Sequence, residues 1–245
     1  DEEGGGDAGA RYLVEEQSAL FQGVRYAVGE FGGFSYEVGR QRFYPIMVAE
    51  KQICHLRVTV RGPGGHGSLP QRDGAMGRMA AFLSRLERRR LPVHVTPVTR
   101  TMVQAISAKL AWPQGAVFRQ LLNPSMTNTV LRMMGSNGAP FEPLLRNTAN
   151  ATVVRGGEQI NVAPTTVSVD LDGRLLPGFG PENLIAEVGK VAGQGLDIEV
   201  LRHDTGPPEP DMKLFEILRG ILRASDPDGE PVPILLPGAT DARFF

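Results

Sequence analysis

Between residues 54 and 203 the chain switches repeatedly between two hydrophobic periods, and their order restricts the possible folds strongly. The segments Leu56–Val60 and 165–174 have the two-residue period of a β-strand. The other predicted elements of this range are a helix at 73–90, a strand at 151–155, a helix at 181–191 and a strand at 196–201. The order strand, helix, strand, strand, helix, strand is typical of a split βαβ (ferredoxin-like) unit. It predicts a four-stranded antiparallel sheet with helices on one face.

A helical insert is predicted within this unit, at residues 99–134, where the helical spacing is interrupted by Pro113 and Pro124. Outside the unit we predict strands at 23–27, 44–50 and 232–236 and a helix at 212–224. The fold class is therefore α/β.

Composition excludes several classes of protein. The 245 residues carry a formal net charge of −1, without the basic excess typical of nucleic-acid binding. No apolar run reaches the roughly 20 residues that cross a bilayer, so we expect neither a nucleic-acid nor a membrane partner. Cys54 is the only cysteine and is predicted to be a buried apolar side chain. With no recognisable signal peptide, this favours a reducing, cytoplasmic location.

Both ends of the sequence lack the polar, trailing character of a natural terminus. The chain begins with Asp1-Glu2-Glu3 and no methionine, and it ends with Arg243-Phe244-Phe245 directly after a segment typical of a loop. We therefore expect an internal piece of a longer protein.

A histidine lies in the glycine-rich segment 61–70, Arg-Gly-Pro-Gly-Gly-His-Gly-Ser-Leu-Pro, directly after a predicted strand. Glycine allows the backbone to turn tightly there, and His66 is then available to a ligand. An ordinary surface loop is an alternative interpretation. A dinucleotide fingerprint is a third, because Gly62, Gly64 and Gly67 match the spacing G-x-G-x-x-G, but Pro70 separates these glycines from the next helix.

Carboxylates and an arginine are the other candidates for chemistry. Glu2 and Glu3 are adjacent before three glycines, and Glu30 lies in a second glycine-rich loop. Such loop carboxylates hold divalent ions in many enzymes, although solvated acids are the alternative. Arg174 could bind a carboxylate through two parallel hydrogen bonds or pair with a neighbour such as Asp172. Asn161, close to Pro164, is by default a turn residue.

Taken together, six segments resemble the co-catalytic zinc peptidases of the aminoacylase, glutamate carboxypeptidase and succinyl-diaminopimelate desuccinylase family. In chain order they are DEEGGG, VGEFGGF, RGPGGHGSLP, INVAP, DLDGRLLPG and LPGATDARFF. The resemblance implies a zinc-binding α/β catalytic domain, partial here at 1–53 and 204–245. It also implies that residues 54–203 are a lid and dimerisation domain of the split βαβ type with a helical insert.

The resemblance also implies a role for each candidate. Glu2 would be the general base, Glu3 a ligand of one zinc ion and Glu30 a ligand of the other. His66 would stabilise the oxyanion and, in dimeric members of the family, reaches the partner subunit's site. Asn161 and Arg174 would hold the substrate, with Arg174 taking its carboxylate. The remaining substrate-binding candidates, in the loop 238–241, are Gly238 and Thr240.

The function implied is a metal-dependent hydrolase, a metallopeptidase of the carboxypeptidase, dipeptidase or aminoacylase kind. It would cleave the amide bond of a dipeptide or N-acyl amino acid that has a free carboxylate. The partner implied besides this substrate is a second copy of the chain, in a homodimer formed through the lid. The family's His-x-Asp segment, bridging aspartate and final histidine ligand are absent from these residues, so we expect the 245-residue chain to bind zinc poorly and to be inactive. The alternative is a non-catalytic dimerisation or ligand-binding module with a decayed metal site.

Overall fold

The computed structural model describes residues 6–29, 31–38, 40–193 and 195–245. The helices are α1 (Tyr12–Glu16), α2 (Ala75–Arg88), α3 (Pro97–Lys109), α4 (Gln114–Arg119), α5 (Pro124–Met134), α6 (Pro181–Ala192) and α7 (Lys213–Ser225). The strands are β1 (Tyr36–Val38), β2 (Gln41–Glu50), β3 (Gln52–Arg61), β4 (Gly65–His66), β5 (Thr148–Arg155), β6 (Val162–Ala163), β7 (Thr166–Leu175), β8 (Asp197–His203) and β9 (Glu230–Leu236). No helix in the described ranges is long and apolar enough to cross a membrane.

Shorter helical segments complete the chain. They are a π-helical turn at Asp7–Arg11 and 3₁₀ segments at Ser18–Phe21, Gln120–Leu122, Gly135–Leu145 and Asp241–Phe244. The strand predicted at 23–27 is wrong, since this segment has no regular secondary structure. Its residues lie largely exposed and pair with no strand among the described residues, and a strand needs a partner to be stable.

The predicted four-stranded antiparallel sheet is confirmed, with strand order β5-β7-β3-β8. In the register of β3 and β7, Val58 lies opposite Val169 and both are fully buried. Alternate residues of the two strands therefore point into the same core, as the two-residue period predicts. The helices α2 and α6 cover this face with apolar side chains at helical spacing, including Phe82 and Leu184. Cys54 belongs to the same core, and burial raises the pKa of its thiol to about 11.

A second sheet has the order β1-β2-β9, with β2 and β9 parallel. The insert predicted at 99–134 forms the helices α3, α4 and α5. These helices pack against the second sheet rather than into the core of the four-stranded sheet, because Met102 and Leu121 share a cluster with Val232 and Leu235. The division at residues 54–203 remains a prediction, and the insert shares its core with the flanking segments.

Lys51 connects the two sheets, since it lies between the end of β2 and the start of β3. Its side chain is fully buried. The ammonium group donates hydrogen bonds to the carbonyl oxygens of Pro143 (3.2 Å) and Arg146 (2.9 Å) and to Thr148 Oγ1 (3.1 Å). Burial, followed by the nearby positive charge of Arg174, lowers the pKa of Lys51 to about 7.

This lowered pKa predicts a pH-dependent contribution to stability. Between pH 7 and about 10 the unfolded chain binds a proton on Lys51 that the folded chain has lost. The free energy of unfolding should therefore rise with pH over this window, and the rise should be absent in Lys51→Met. Urea unfolding of both proteins at several pH values measures the difference. Lys213→Met, at an exposed position, is the control, and a difference between wild type and Lys51→Met that does not change with pH would contradict the assignment.

Candidate functional site

His66 and Asn161 are brought together by a two-stranded arm formed by β4 and β6. In this arm His66 lies opposite Val162, and the Gly67 amide donates a 2.7 Å hydrogen bond to the Asn161 carbonyl oxygen. Glycine suits position 67 because an added Cβ would lie 3.1 Å from that oxygen, a tighter contact than usual. At Gly64 an added Cβ would lie 2.9 Å from the carbonyl oxygen of the facing strand. The glycines around the histidine thus allow the close backbone approach that forms the arm.

The His66 side chain is exposed at the end of the arm. Its Nδ1 atom lies 3.2 Å from the backbone nitrogen of Ser68 and 2.8 Å from Ser68 Oγ. Ser68 belongs to the same glycine-rich segment, but it is not among the predicted site residues. The spacing of a hydroxyl residue two positions after the histidine could have indicated this contact, because serine side chains and amides commonly bond to neighbours two residues away.

Arg174 lies on β7, opposite Ile53. Its Nε donates to Asp172 Oδ1 at 2.8 Å, and a terminal nitrogen donates to Oδ2 at 3.2 Å. His55 Nε2 lies 3.4 Å from the same carboxylate. The pair with Asp172, which the sequence left as an alternative to substrate binding, is therefore formed. An arginine has five N–H donors, so this pair orients the guanidinium without using all of them.

Within one chain the structure does not bring Arg174 close to His66 and Asn161. The arm continues from the end of the sheet at which β3 finishes with Arg61 and β7 begins with Thr166. From Thr166 to Arg174, β7 spans about 27 Å, at about 3.4 Å per residue. Arg174 is thus at the opposite end of the sheet, farther from the arm than side chains can bridge.

Thr240 lies near Arg174, at the joint between the two sheets. Its backbone nitrogen and its hydroxyl group both donate to Glu50 Oε2, at 2.7 Å and 2.8 Å. Burial raises the pKa of Glu50, and these two hydrogen bonds and the positive charges of Arg243 and Arg174 oppose the rise. Thr240 therefore binds a partly buried carboxylate of its own chain. Gly238, in contrast, faces open space, with no atom of the described residues within 4 Å of an added Cβ.

The loop 238–241 also lies close to the segment that follows the two adjacent glutamates. Gly6 has a positive φ of 73°, and an added Cβ would lie 2.7 Å from Phe244 Cε2 and 2.8 Å from Asp241 Oδ1. The predicted site residues Glu2, Glu3 and Glu30 lie outside the described residues. Among the residues that are described, no group of three or more His, Cys, Asp or Glu side chains could hold a metal ion.

The family is established by a match over most of the chain. Residues 48–198 match the family model M20_dimer, the peptidase dimerisation domain, and the chain belongs to this family. This confirms the resemblance to the zinc peptidases at the level of the family. The match includes the four-stranded sheet up to the start of β8, together with the insert and the arm.

Curated relatives are named as an N-fatty-acyl-amino acid synthase/hydrolase and as carboxypeptidases. The human N-fatty-acyl-amino acid synthase/hydrolase PM20D1 is 28% identical over 258 residues, which cover 100% of this chain and 50% of the relative. The probable carboxypeptidase S-like 2 of Dictyostelium discoideum is 23% identical over 202 residues, covering 81% of this chain and 38% of the relative. The chain thus spans about half the length of the curated relatives it matches, or less.

Solved structures resemble the chain only distantly. The crystal structure of human carnosine dipeptidase 1 has a TM-score of 0.49 and 12% sequence identity, and the match covers 98% of this chain and 54% of that one. A likeness at this level supports no conclusion about this chain.

The contact between Thr240 and Glu50 predicts that Thr240 contributes to stability. Thr240→Val removes the hydroxyl donor to Glu50 and the acceptor that caps the Ala242 amide, so we expect a loss of about 1–2 kcal/mol. Thr240→Ser retains both hydrogen bonds and should lose much less. Urea unfolding measures both variants. Equal stability of wild type and Thr240→Val would show that these hydrogen bonds do not stabilise the loop.

Proposed function

We propose that this chain provides the lid and part of the catalytic domain of a metal-dependent hydrolase. The substrate is a dipeptide or N-acyl amino acid with a free carboxylate, and an amide bond is cleaved. The observation that carries the proposal is the contact of Gly6 with Asp241 and Phe244. Gly6 follows Glu3 by three residues and lies beside the end of the loop 238–241. This proximity supports a site that includes both segments, as the family resemblance implies.

The metal requirement comes from the family rather than from the described residues. Glu3 and Glu30 are the proposed ligands, and two carboxylates are too few for two zinc ions that each take about four ligands. These residues alone do not fit a two-zinc centre, which would need ligands beyond them. A cytoplasmic location likewise stays a prediction, which rests on the single buried Cys54.

The lid residues supply binding and polarisation. Arg174 holds the substrate carboxylate with the N–H donors that Asp172 leaves available, and Asp172 keeps the guanidinium plane oriented. His66 donates a hydrogen bond to the oxygen that becomes negatively charged when the amide carbon is attacked. Asn161, beside it on the arm, orients the acyl group through its side-chain amide.

Two copies of the chain are needed to assemble these groups. Because β7 separates Arg174 from the arm by about 27 Å, the two cannot contact one small substrate from the same chain. A homodimer resolves this, with the arm of one protomer entering the site of its partner. The match to a peptidase dimerisation domain supports such a dimer.

A second candidate is a non-catalytic dimerisation or ligand-binding module whose metal site has decayed. The description of the matched domain favours it, since that description specifies dimerisation and not catalysis. The two candidates differ in the activity expected when the remaining zinc ligands of the family are supplied.

Zinc content and activity test the proposed function directly. They are measured for the 245-residue chain and for the chain extended at both ends with the family's remaining ligand segments. We expect the extended chain to hold two zinc ions and to hydrolyse N-acyl amino acids or dipeptides, and the shorter chain to do neither. Equal activity of the two chains would contradict the proposal. An extended chain that dimerises but hydrolyses no such substrate would favour the second candidate.

Mixing two variants that are each impaired, assayed at substrate concentrations well below the raised KM, tests whether the site is shared. In the extended chain, His66→Gln should lower kcat by about 10²–10³-fold, and Arg174→Gln should raise KM. A mixed dimer has one site in which both residues are intact. Re-equilibrated equal amounts should therefore recover about a quarter of wild-type activity, since half of the dimers are mixed. No recovery, despite mixed dimers detected by mass spectrometry, would mean that both residues act within one protomer.

A further inference from the structure

The two ring nitrogens of His66 have different surroundings. Nδ1 lies within hydrogen-bond distance of both the backbone nitrogen and the hydroxyl group of Ser68. Nε2 has no hydrogen bond to any of the described residues, and the side chain is exposed. One nitrogen is therefore bound by the chain itself, while the other is available to a substrate.

The Ser68 backbone contact determines which nitrogen carries the proton. A backbone N–H group can only donate, so at 3.2 Å it requires a lone pair on Nδ1. A neutral imidazole has one proton, which must then be on Nε2. The Ser68 hydroxyl, 2.8 Å from Nδ1, can rotate to donate to the same atom. If the proton were on Nδ1 instead, it would face the amide hydrogen of Ser68.

The arm holds the Ser68 amide in this position through backbone hydrogen bonds on both sides. The preceding residue, Gly67, donates to the Asn161 carbonyl oxygen at 2.7 Å. The following residue, Leu69, donates to the carbonyl oxygen of His66 at 3.0 Å. The Ser68 N–H is thus directed at the ring by the turn itself and not only by a flexible side chain.

We propose that Ser68 is a positioning residue that holds His66 in the tautomer with its proton on Nε2. In this form the exposed nitrogen of His66 is a hydrogen-bond donor and has no lone pair with which to accept a proton. The residue can therefore stabilise an oxyanion but cannot act as a general base through Nε2. The role of the donor in catalysis rests on the proposed function, whereas the tautomer does not.

Nuclear magnetic resonance tests the tautomer on the 245-residue chain. Imidazole ¹⁵N shifts are recorded for the four histidines, and His66 is assigned by comparison with His66→Gln. In the neutral ring of His66 we expect an unprotonated Nδ1 and a protonated Nε2. We also expect a coupling through the hydrogen bond between the Ser68 amide nitrogen and His66 Nδ1. A proton mainly on Nδ1, or no such coupling, would overturn the proposal.

Substitutions separate the contributions of Ser68. Ser68→Ala keeps the amide and loses the hydroxyl, so we expect a smaller Nε2–H fraction and, in the extended chain, about fivefold lower kcat with unchanged KM. Ser68→Thr should restore both. Ser225→Ala, which changes an exposed serine at the end of α7, is the control. A tautomer fraction and kcat that are the same in Ser68→Ala and wild type would show that the hydroxyl does not position the ring.

The outcomes also distinguish this proposal from the proposed function. If the extended chain hydrolyses no N-acyl amino acid or dipeptide while the tautomer and the coupling are as expected, the proposed function is wrong and the assignment of Ser68 stands. If the extended chain is active but the proton of neutral His66 lies mainly on Nδ1, the proposed function stands and the assignment of Ser68 is wrong.

Discussion

The antiparallel ladder between β3 and β7 organises both the core and the candidate site. It buries alternate side chains of the two strands under α2 and α6, so its register cannot slip by one residue without exposing the core. The same ladder separates the two groups of candidate residues, because the arm continues from one of its ends and Arg174 lies at the other. This stiff element between the two groups is the physical basis of the proposed site shared between two protomers.

The joint between the two sheets concentrates buried polar groups. Lys51 and Glu50 are adjacent, yet Lys51 binds the segment 143–148 and Glu50 holds the loop 238–241. Arg174 lies close enough for its charge to affect the pKa values of both groups. The substrate-binding arginine that we propose is therefore electrostatically connected to the segment joining the sheets.

The candidate site could be predicted only in part. The glycine-rich segment around His66 and the segment containing Asn161 were recognised separately, and their spacing gave no indication that they pair as β4 and β6. The pairing brings the facing backbone to about 3 Å from where a Cβ would lie at Gly64 and Gly67. Only the folded chain shows that these two glycines lie at such close contacts. Likewise Thr240 was predicted as a substrate contact, and its hydrogen bonds to Glu50, 190 residues away in the sequence, were not foreseeable.

The sequence by itself determined the split βαβ order, the antiparallel sheet and the buried Cys54, because hydrophobic periods and turn residues are local properties of a chain. The tertiary structure alone decided where the insert packs and which carboxylate Thr240 binds. These depend on contacts between segments far apart in the chain, and no local pattern records them. The strand expected at 23–27 failed for the same reason, since its residues suit a strand but no strand of the described ranges lies beside them.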